Sequence, residues 1–322
     1  MKHVLARAAA VGSVLALSLT ACGGSGDTGG GDGELRPLTI GIIPIAPSAA
    51  MQLGVDEGIF ERHGLDVTLE TAQGGAAMLP AVSGGSMNIG VGNPLSVILA
   101  KDQGLEMQIL SGYSSSLPEG EDITGVAANK DAGIGSWADL AGKTVAVNTV
   151  NGQGDLTIKE AVSRAGGDPE AVNFVEMPFQ DMPAQLDRGE IDAAWVPEPF
   201  LTQLVGGEST ELVGYNYQET VPGLDTMVTF SSQKFVEENP EVVEDYEAAV
   251  AEALEFAQQN PERVQETIVS LLNMPEEVAG ELRLEEFDAE TDREELEQLS
   301  ELMVKYGVVE NEPDLDEIIR SE

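Results

Sequence analysis

The chain has 322 residues, 42% of them hydrophobic, with 16 Lys+Arg against 57 Asp+Glu and a formal net charge of -41. A surface this acidic repels nucleic acid and anionic membranes, so neither is an expected partner. Cys22 is the lone cysteine and the two histidines are His3 and His63, which leaves no Cys/His nucleophile pair and no tetrahedral Cys/His zinc site. The excess of acid is uneven: Glu237 to Glu322 holds 28 acids and five bases. No Asp-x-Asp-x-Asp-Gly spacing suggests a calcium loop, so the acidity reads as a solvated surface suited to a salty or crowded setting.

In chain order, Lys2 and Arg7 precede an apolar run from Ala8 to Ala21 that is too short to span a bilayer. A basic start, a short apolar stretch and small residues before Cys22 read as a secretory signal over residues 1–21. Leu19-Thr20-Ala21-Cys22 resembles the bacterial lipoprotein box, whose cysteine is acylated and begins the mature chain. Gly-rich residues 22–36 then form a flexible tether. The protein is expected outside the cytoplasm, held to the outer face of the cell membrane by lipid alone. Roughly 285 residues remain, enough for two domains.

Leu38 to Pro44 reads as a buried strand, and Pro47-Ser48 opens a helix with Met51, Val55 and Ile59 on one face. Leu65 to Glu70 alternates as a second strand. A helix over Ala76 to Val82, a strand over Asn88 to Gly92, a helix over Leu95 to Lys101 and a strand over Met107 to Leu110 follow. The pattern then restarts: a capped turn at Ser136 to Leu140, a strand at Thr144 to Asn148 and a helix from Asp155 to Ala165 closed by two glycines. Strands at Val172 to Met177 and Ile191 to Val196 alternate with helices at Met182 to Asp187 and Pro199 to Val205. From Ser232 onward the chain reads as helical, with one stripe along Val243, Tyr246, Val250, Ala253 and Ala257 and another along Leu296, Leu299, Leu302, Met303 and Tyr306.

Strands alternating with helices imply mainly parallel α/β sheets covered on both faces. The order predicts lobe 1 from residues 37–118 plus 225–322 and lobe 2 from 119–224. Two hinge crossings are expected, near Tyr113 to Val126 and Tyr215 to Phe230, and lobes joined in this way can close on a ligand.

Ligands of open α/β sheets sit beyond the C-terminal strand ends. Five such loops are present, and five helix starts there could offer backbone N–H groups to a small polar or anionic group. The ligand-binding candidates are Pro44, Ala46, Ser48, Gly75, Ala76, Asn93, Asn148, Thr149, Gln153 and Glu198. No Arg or Lys lies in the loops, so Glu198 is the one expected cleft charge. A carboxylate there favours an amine or several N–H donors, although Glu198 could equally bond its own helix start. Tyr113 and Trp195 could stack on a ring but read more readily as packing. His63, after Glu61-Arg62, reads as a surface cation at a helix C-terminus. Gly152-x-Gly154 lacks the third glycine of a dinucleotide loop.

Four segments carry a family resemblance. Gly58-Ile59-Phe60-Glu61-Arg62-His63-Gly64-Leu65-Asp66-Val67, Gly84 to Gly90, Asp139 to Val147, and Leu186 to Trp195 with Glu198-Pro199 resemble, in order, signature elements of substrate-binding proteins of ABC importers. Asn88 stands where that family usually has Asp. The branch is similar to the binders of nitrate, sulfonates, taurine and thiamine precursors. The resemblance implies a two-lobed periplasmic-binding-protein-like fold of type II, with a helical C-terminal segment. It also implies a monomeric receptor, not an enzyme, that delivers a small polar solute to an ABC permease and its ATPase, with no cofactor and no metal. Two readings stand against it: a lipid-anchored carboxylate-dependent hydrolase, and a sensor module on the same fold.

Overall fold

The computed structural model describes residues 35–320. The signal peptide, Cys22 and the tether up to residue 34 lie outside the described residues. The tether reading runs past its end, because Arg36 already belongs to a strand. Its amide donates to Gly64 O at 2.9 Å, and its guanidinium pairs with Asp245.

The first sheet takes β1 (Arg36–Ile42), β2 (Leu65–Thr71), β3 (Ile89–Gly92) and β4 (Met107–Ser115). The second takes β5 (Thr124–Asn129), β6 (Thr144–Val147), β7 (Asn173–Glu176), β8 (Ala193–Pro197) and β9 (Thr210–Gly214). The chain then returns to the first sheet with β10 (Asp225–Ser232) and β11 (Glu286–Phe287). The strand orders are β11-β4-β10-β3-β1-β2 and β7-β6-β8-β5-β9. β1 pairs in parallel with β2 (Ile40 opposite Leu69) and with β3 (Ile40 opposite Ile89), and β6 pairs in parallel with β7 and β8.

The expectation of mainly parallel sheets needs correcting at three strands, one of them the two-residue β11, which runs antiparallel to β4. β10 runs antiparallel to β3 and β4, and β5 antiparallel to β8 and β9. These are the strands entered from the crossings. Parallel strands leave their C-terminal ends at the cleft between the sheets, so a strand entered from that cleft runs the other way. Both had been read as connecting chain. All eight residues of β10 are buried, yet half are Ser or Thr and one is Asp, which masks its apolar periodicity. The hydroxyls pair across to β4, Ser111 with Thr229 at 2.7 Å and Ser114 with Thr226 at 2.8 Å. That satisfies groups whose burial would otherwise be unfavourable.

Apart from β11, the C-terminal segment is helical as expected. The helix Pro240–Gln259 buries Val243, Tyr246, Val250, Ala253 and Ala257, and the helix Arg293–Lys305 buries Leu296, Leu299, Leu302 and Met303. His63 lies at a helix end, its Nε2 2.9 Å from Glu252 Oε2. Among the described residues, no helix is long and apolar enough to cross a membrane.

The two crossings run side by side, with the Ser116 amide donating to Leu224 O at 2.9 Å. Further contacts tie the sheets together away from them. The Ala46 amide donates to Glu198 O at 3.1 Å, Gln153 Nε2 to Asp225 O at 2.9 Å, and Tyr306 Oη to Glu160 Oε2 at 2.8 Å. A Cβ on Gly74 would lie 2.9 Å from Asn148 Nδ2, so the loops of the two sheets meet with room for hydrogen alone. The lobes are drawn shut.

Candidate functional site

Strand ends of both sheets enclose a small cavity. The first sheet and its flanking chain contribute Ile43, Ile45, Asn93, Thr226 and Met227, and the second contributes Thr124, Asn148, Trp195 and Pro197. Phe179, Tyr217 and Glu285 complete the wall. About 40 Å³ is open to the centre of a water-sized sphere, room for roughly three waters at about 10–15 Å³ each. Sites for drug-sized ligands run to about 300–1,000 Å³, so anything larger than a few waters, a six-membered ring included, requires the lobes to part.

One wall is aromatic. The Trp195 ring lies 5.6 Å from Phe179 at 55° and 6.2 Å from Tyr217 at 78°. These are offset and edge-on arrangements that leave indole surface for a flat partner. Gly154, in the first turn of the helix Gln153–Arg164, backs this wall: a Cβ there would fall 2.5 Å from Trp195 Cε3. The indole Nε1 is buried without a hydrogen-bond partner.

The other wall is acidic. Glu285 is 7% exposed, and its Oε2 is buried with no partner. Burial pushes its carboxyl up to about 8, with the charges of Asp122 and Glu198 adding and the hydroxyls of Ser114 and Thr226 opposing. The group is therefore largely protonated at neutral pH. A cation or a cluster of N–H donors at Oε2 would favour its ionised form.

The sequence-derived residues divide. Asn93 and Asn148 line the cavity, and Thr149 stands beside Gly74 at its rim. Gln153 Nε2 is held by Asp225 O. Gly75 packs on Gly92, where a Cβ would come 3.2 Å from the neighbouring Cα, and Ala76 follows it half-buried. Ser48 is buried with its Oγ donating to Ile43 O at 2.6 Å, and Ala46 spends its amide on Glu198 O. Pro44 is exposed and lines a separate apolar groove with Pro199, Phe200 and Met274.

The expectation of free amides at the helix starts also needs correcting. Asn93 Oδ1 accepts from the Ser96 amide at 2.9 Å. Asp155 accepts from the amides of Asn151 and Gly152 at 2.9 and 2.7 Å. Glu198 accepts from the Thr202 amide at 3.0 Å and the Thr202 hydroxyl at 2.8 Å. At these three starts side chains of the protein, two of them carboxylates, occupy places an anionic ligand would take, whereas the helix Gly75–Ser83 begins without a side-chain cap. Glu198 further accepts from Arg283 Nη1 at 3.1 Å. Burial still raises its carboxyl, with Thr202 and Arg283 pulling the other way.

Sequence reasoning missed Glu285, Phe179, Tyr217 and Thr124, and weighed Trp195 chiefly as packing. Tyr113 does pack, its Oη donating to Pro47 O at 2.8 Å and accepting from the Met51 amide at 3.1 Å. A signal for Glu285 was present in Leu282-Arg283-Leu284-Glu285-Glu286-Phe287, where an acid sits among buried apolar neighbours.

The family described as NMT1/THI5 like matches residues 47–264. The chain belongs to that family. A curated relative, the formylaminopyrimidine-binding protein of Halalkalibacterium halodurans, is 24% identical over 223 residues, covering 68% of this chain and 65% of that one. The chain spans less than two thirds of the length of the curated relatives it matches. Among solved structures, the alkanesulfonate-binding protein of Xanthomonas axonopodis pv. citri bound to MOPS superposes with a TM-score of 0.75 at 14% identity, over 89% of this chain and 99% of that one. A desulfurization enzyme superposes at 0.61 with 15% identity, over 89% and 97%. The fold of this NMT1/THI5-like protein is thus the two-lobed periplasmic binding protein fold, and that fold also carries at least one enzyme.

Proposed function

We propose that this chain is the extracytoplasmic solute-binding subunit of an ABC importer, and that it closes on a small, flat solute rich in N–H donors. The observation that carries the reading is Glu285 Oε2, an unpartnered carboxyl oxygen in the inter-lobe cavity beside Trp195, Phe179 and Tyr217. A planar ring bearing an amine would lie on the aromatic wall and donate to that oxygen. Side-chain caps at three of the five helix starts leave few amides for a bare anion such as nitrate or a sulfonate, and the relative that binds a formylaminopyrimidine supports the choice of ring. Asn93 and Asn148 would bond the solute edge, and Thr149, Gln153, Gly75 and Ala76 would shape the closed lobes around it. Lobe 1 (37–118 plus 225–322) and lobe 2 (119–224) would part about the crossings to admit it. Acylated Cys22 would hold this monomer at the outer membrane face, near a permease and its ATPase.

A hydrolytic reading needs two converging carboxyls. Among the described residues Glu285 is the one acid lining the cavity; Asp122 does not line it, its Oδ1 being held by the Leu117 and Ile123 amides at 2.9 and 2.8 Å and its Oδ2 buried without a partner. A thermal-shift panel of aminopyrimidines, sulfonates, taurine and nitrate tests the proposal. A ligand at 100 times its Kd adds about 2.7 kcal/mol of stability. Stabilisation by the amine-bearing rings is expected. Turnover of any of these compounds, or a response to sulfonates or nitrate alone, would overturn it.

A further inference from the structure

Beside the two crossings, separate from the solute cavity, runs a groove of about 690 Å³. Seven carboxylates line it: Asp225 and, on the C-terminal segment, Glu286, Asp288, Glu290, Asp292, Glu294 and Glu295. The one base, Arg293, is engaged by Glu297 at 3.0 Å and Asp316 at 2.7 Å. An acidic rim alone would be solvated surface. Asp225 is different: it is 2% exposed, its Oδ1 accepts from Ser115 Oγ at 3.0 Å, and its Oδ2 is buried with no partner. A buried carboxylate oxygen without a partner is unfavourable unless a cation or a donor meets it. Burial, together with the charges of Asp292 and Asp288, pushes the Asp225 carboxyl up to about 7, against the pull of Ser115 and the Asp292 amide. Burial and the neighbouring Asp292, Asp225 and Glu294 bring Glu295 to about 7 as well.

The geometry does not suit a single metal ion. Among the described residues, no three acids converge on one point, and the groove is far larger than one hydrated ion. Carboxylates spread along a trench match charges spread along a chain.

We infer that this groove is a second binding site, for a short linear organic polycation whose ammonium groups meet Asp225 at the base and the acids of residues 286–295 along the wall. Ser115, Ser116, Pro222 and Gly223 bring both crossings to the same trench, so a bound polycation spans the hinge.

Isothermal titration of the mature chain with spermidine in 150 mM NaCl tests this. One saturable site is expected, weakened at least tenfold in Asp225→Asn and unchanged in Glu277→Gln/Glu281→Gln, a control on a distant acidic groove. If Asp225→Asn does not fold, Glu295→Gln at the rim takes its place with the same expected direction. Equal weakening in the control, absence of saturation, or full displacement of spermidine by millimolar magnesium would overturn the assignment.

Discussion

Arg283 Nη1 reaches Glu198 Oε1 at 3.1 Å, and this contact joins a segment returning to the first sheet to the loop that ends β8 in the second. Glu198 is 1% exposed, so its charge depends on that guanidinium and on Thr202. Removing one partner of a buried pair leaves the other uncompensated. Arg283→Ala should therefore lower stability by about 2 kcal/mol, less than for a fully buried pair because Arg283 is partly exposed. Calorimetry should show Tm falling by about 4–8 °C, with much of the loss recovered in Arg283→Ala/Glu198→Gln. An unchanged Tm in the single variant would remove the latch.

Stability should depend on pH through the buried acids. A carboxyl raised in the folded state stabilises fully below its unfolded value, and the gain is lost as pH rises through the folded value. Glu285 is raised from 4.5 to about 8, Asp225 to about 7 and Asp122 to about 6. The empty protein should therefore be less stable at pH 8 than at pH 5.5, and Glu285→Gln should flatten the slope above pH 6. The groups facing Glu285, namely Asp122, Glu198, Tyr113 and Tyr217, stay in place in that variant. A slope identical to wild type would contradict the placement of Glu285.

Fluorescence separates the two tryptophans. Trp195 lines the cavity, whereas Trp137 is buried at Gly214, where a Cβ would meet its ring at 2.7 Å. Solute binding should change the emission of wild type and of Trp137→Phe, but not of Trp195→Phe. A response that survives in Trp195→Phe would place the solute elsewhere.

Gly154→Ala probes the wall from behind. The added methyl would overlap the Trp195 ring at 2.5 Å, a rigid contact that overpacking makes costly, by about 1–3 kcal/mol. Solute affinity should fall about tenfold or more, by titration, while Gly135→Ala on the open surface leaves it unchanged. Equal affinity in Gly154→Ala would show that the indole position does not matter.

Much of the fold was legible because parallel strands announce themselves. Ile40, Ile42, Val145 and Val147 are β-branched runs buried on both faces, and Gly64, Gly142 and Gly166 end elements with positive φ. β5 and β10 were not legible: on β10, Thr226, Thr229 and Ser231 bond to Ser114, Ser111 and Asn88 O on neighbouring chain, a pairing invisible to hydropathy. The site was harder. Asn93 and Asn148 follow from strand ends, but Glu285 reaches the cavity on a segment far along the chain, and tertiary return alone brings it there. Glu198 reads from the sequence as the cleft charge, but it does not line the cavity, and its commitment to Thr202 and Arg283 depends on side-chain geometry.

On the proposed function, Glu285 receives an N–H-rich ring in the inter-lobe cavity. Calorimetric titration of the mature chain and of Glu285→Gln with a 4-aminopyrimidine, in buffers of differing ionisation enthalpy near pH 7, tests it most directly. Wild type should bind with release of a fraction of a proton, as the raised carboxyl ionises against the ligand. Binding should be at least tenfold weaker in Glu285→Gln, about 1.4 kcal/mol, with the proton release abolished. Equal affinity and equal proton release in the two proteins would contradict it.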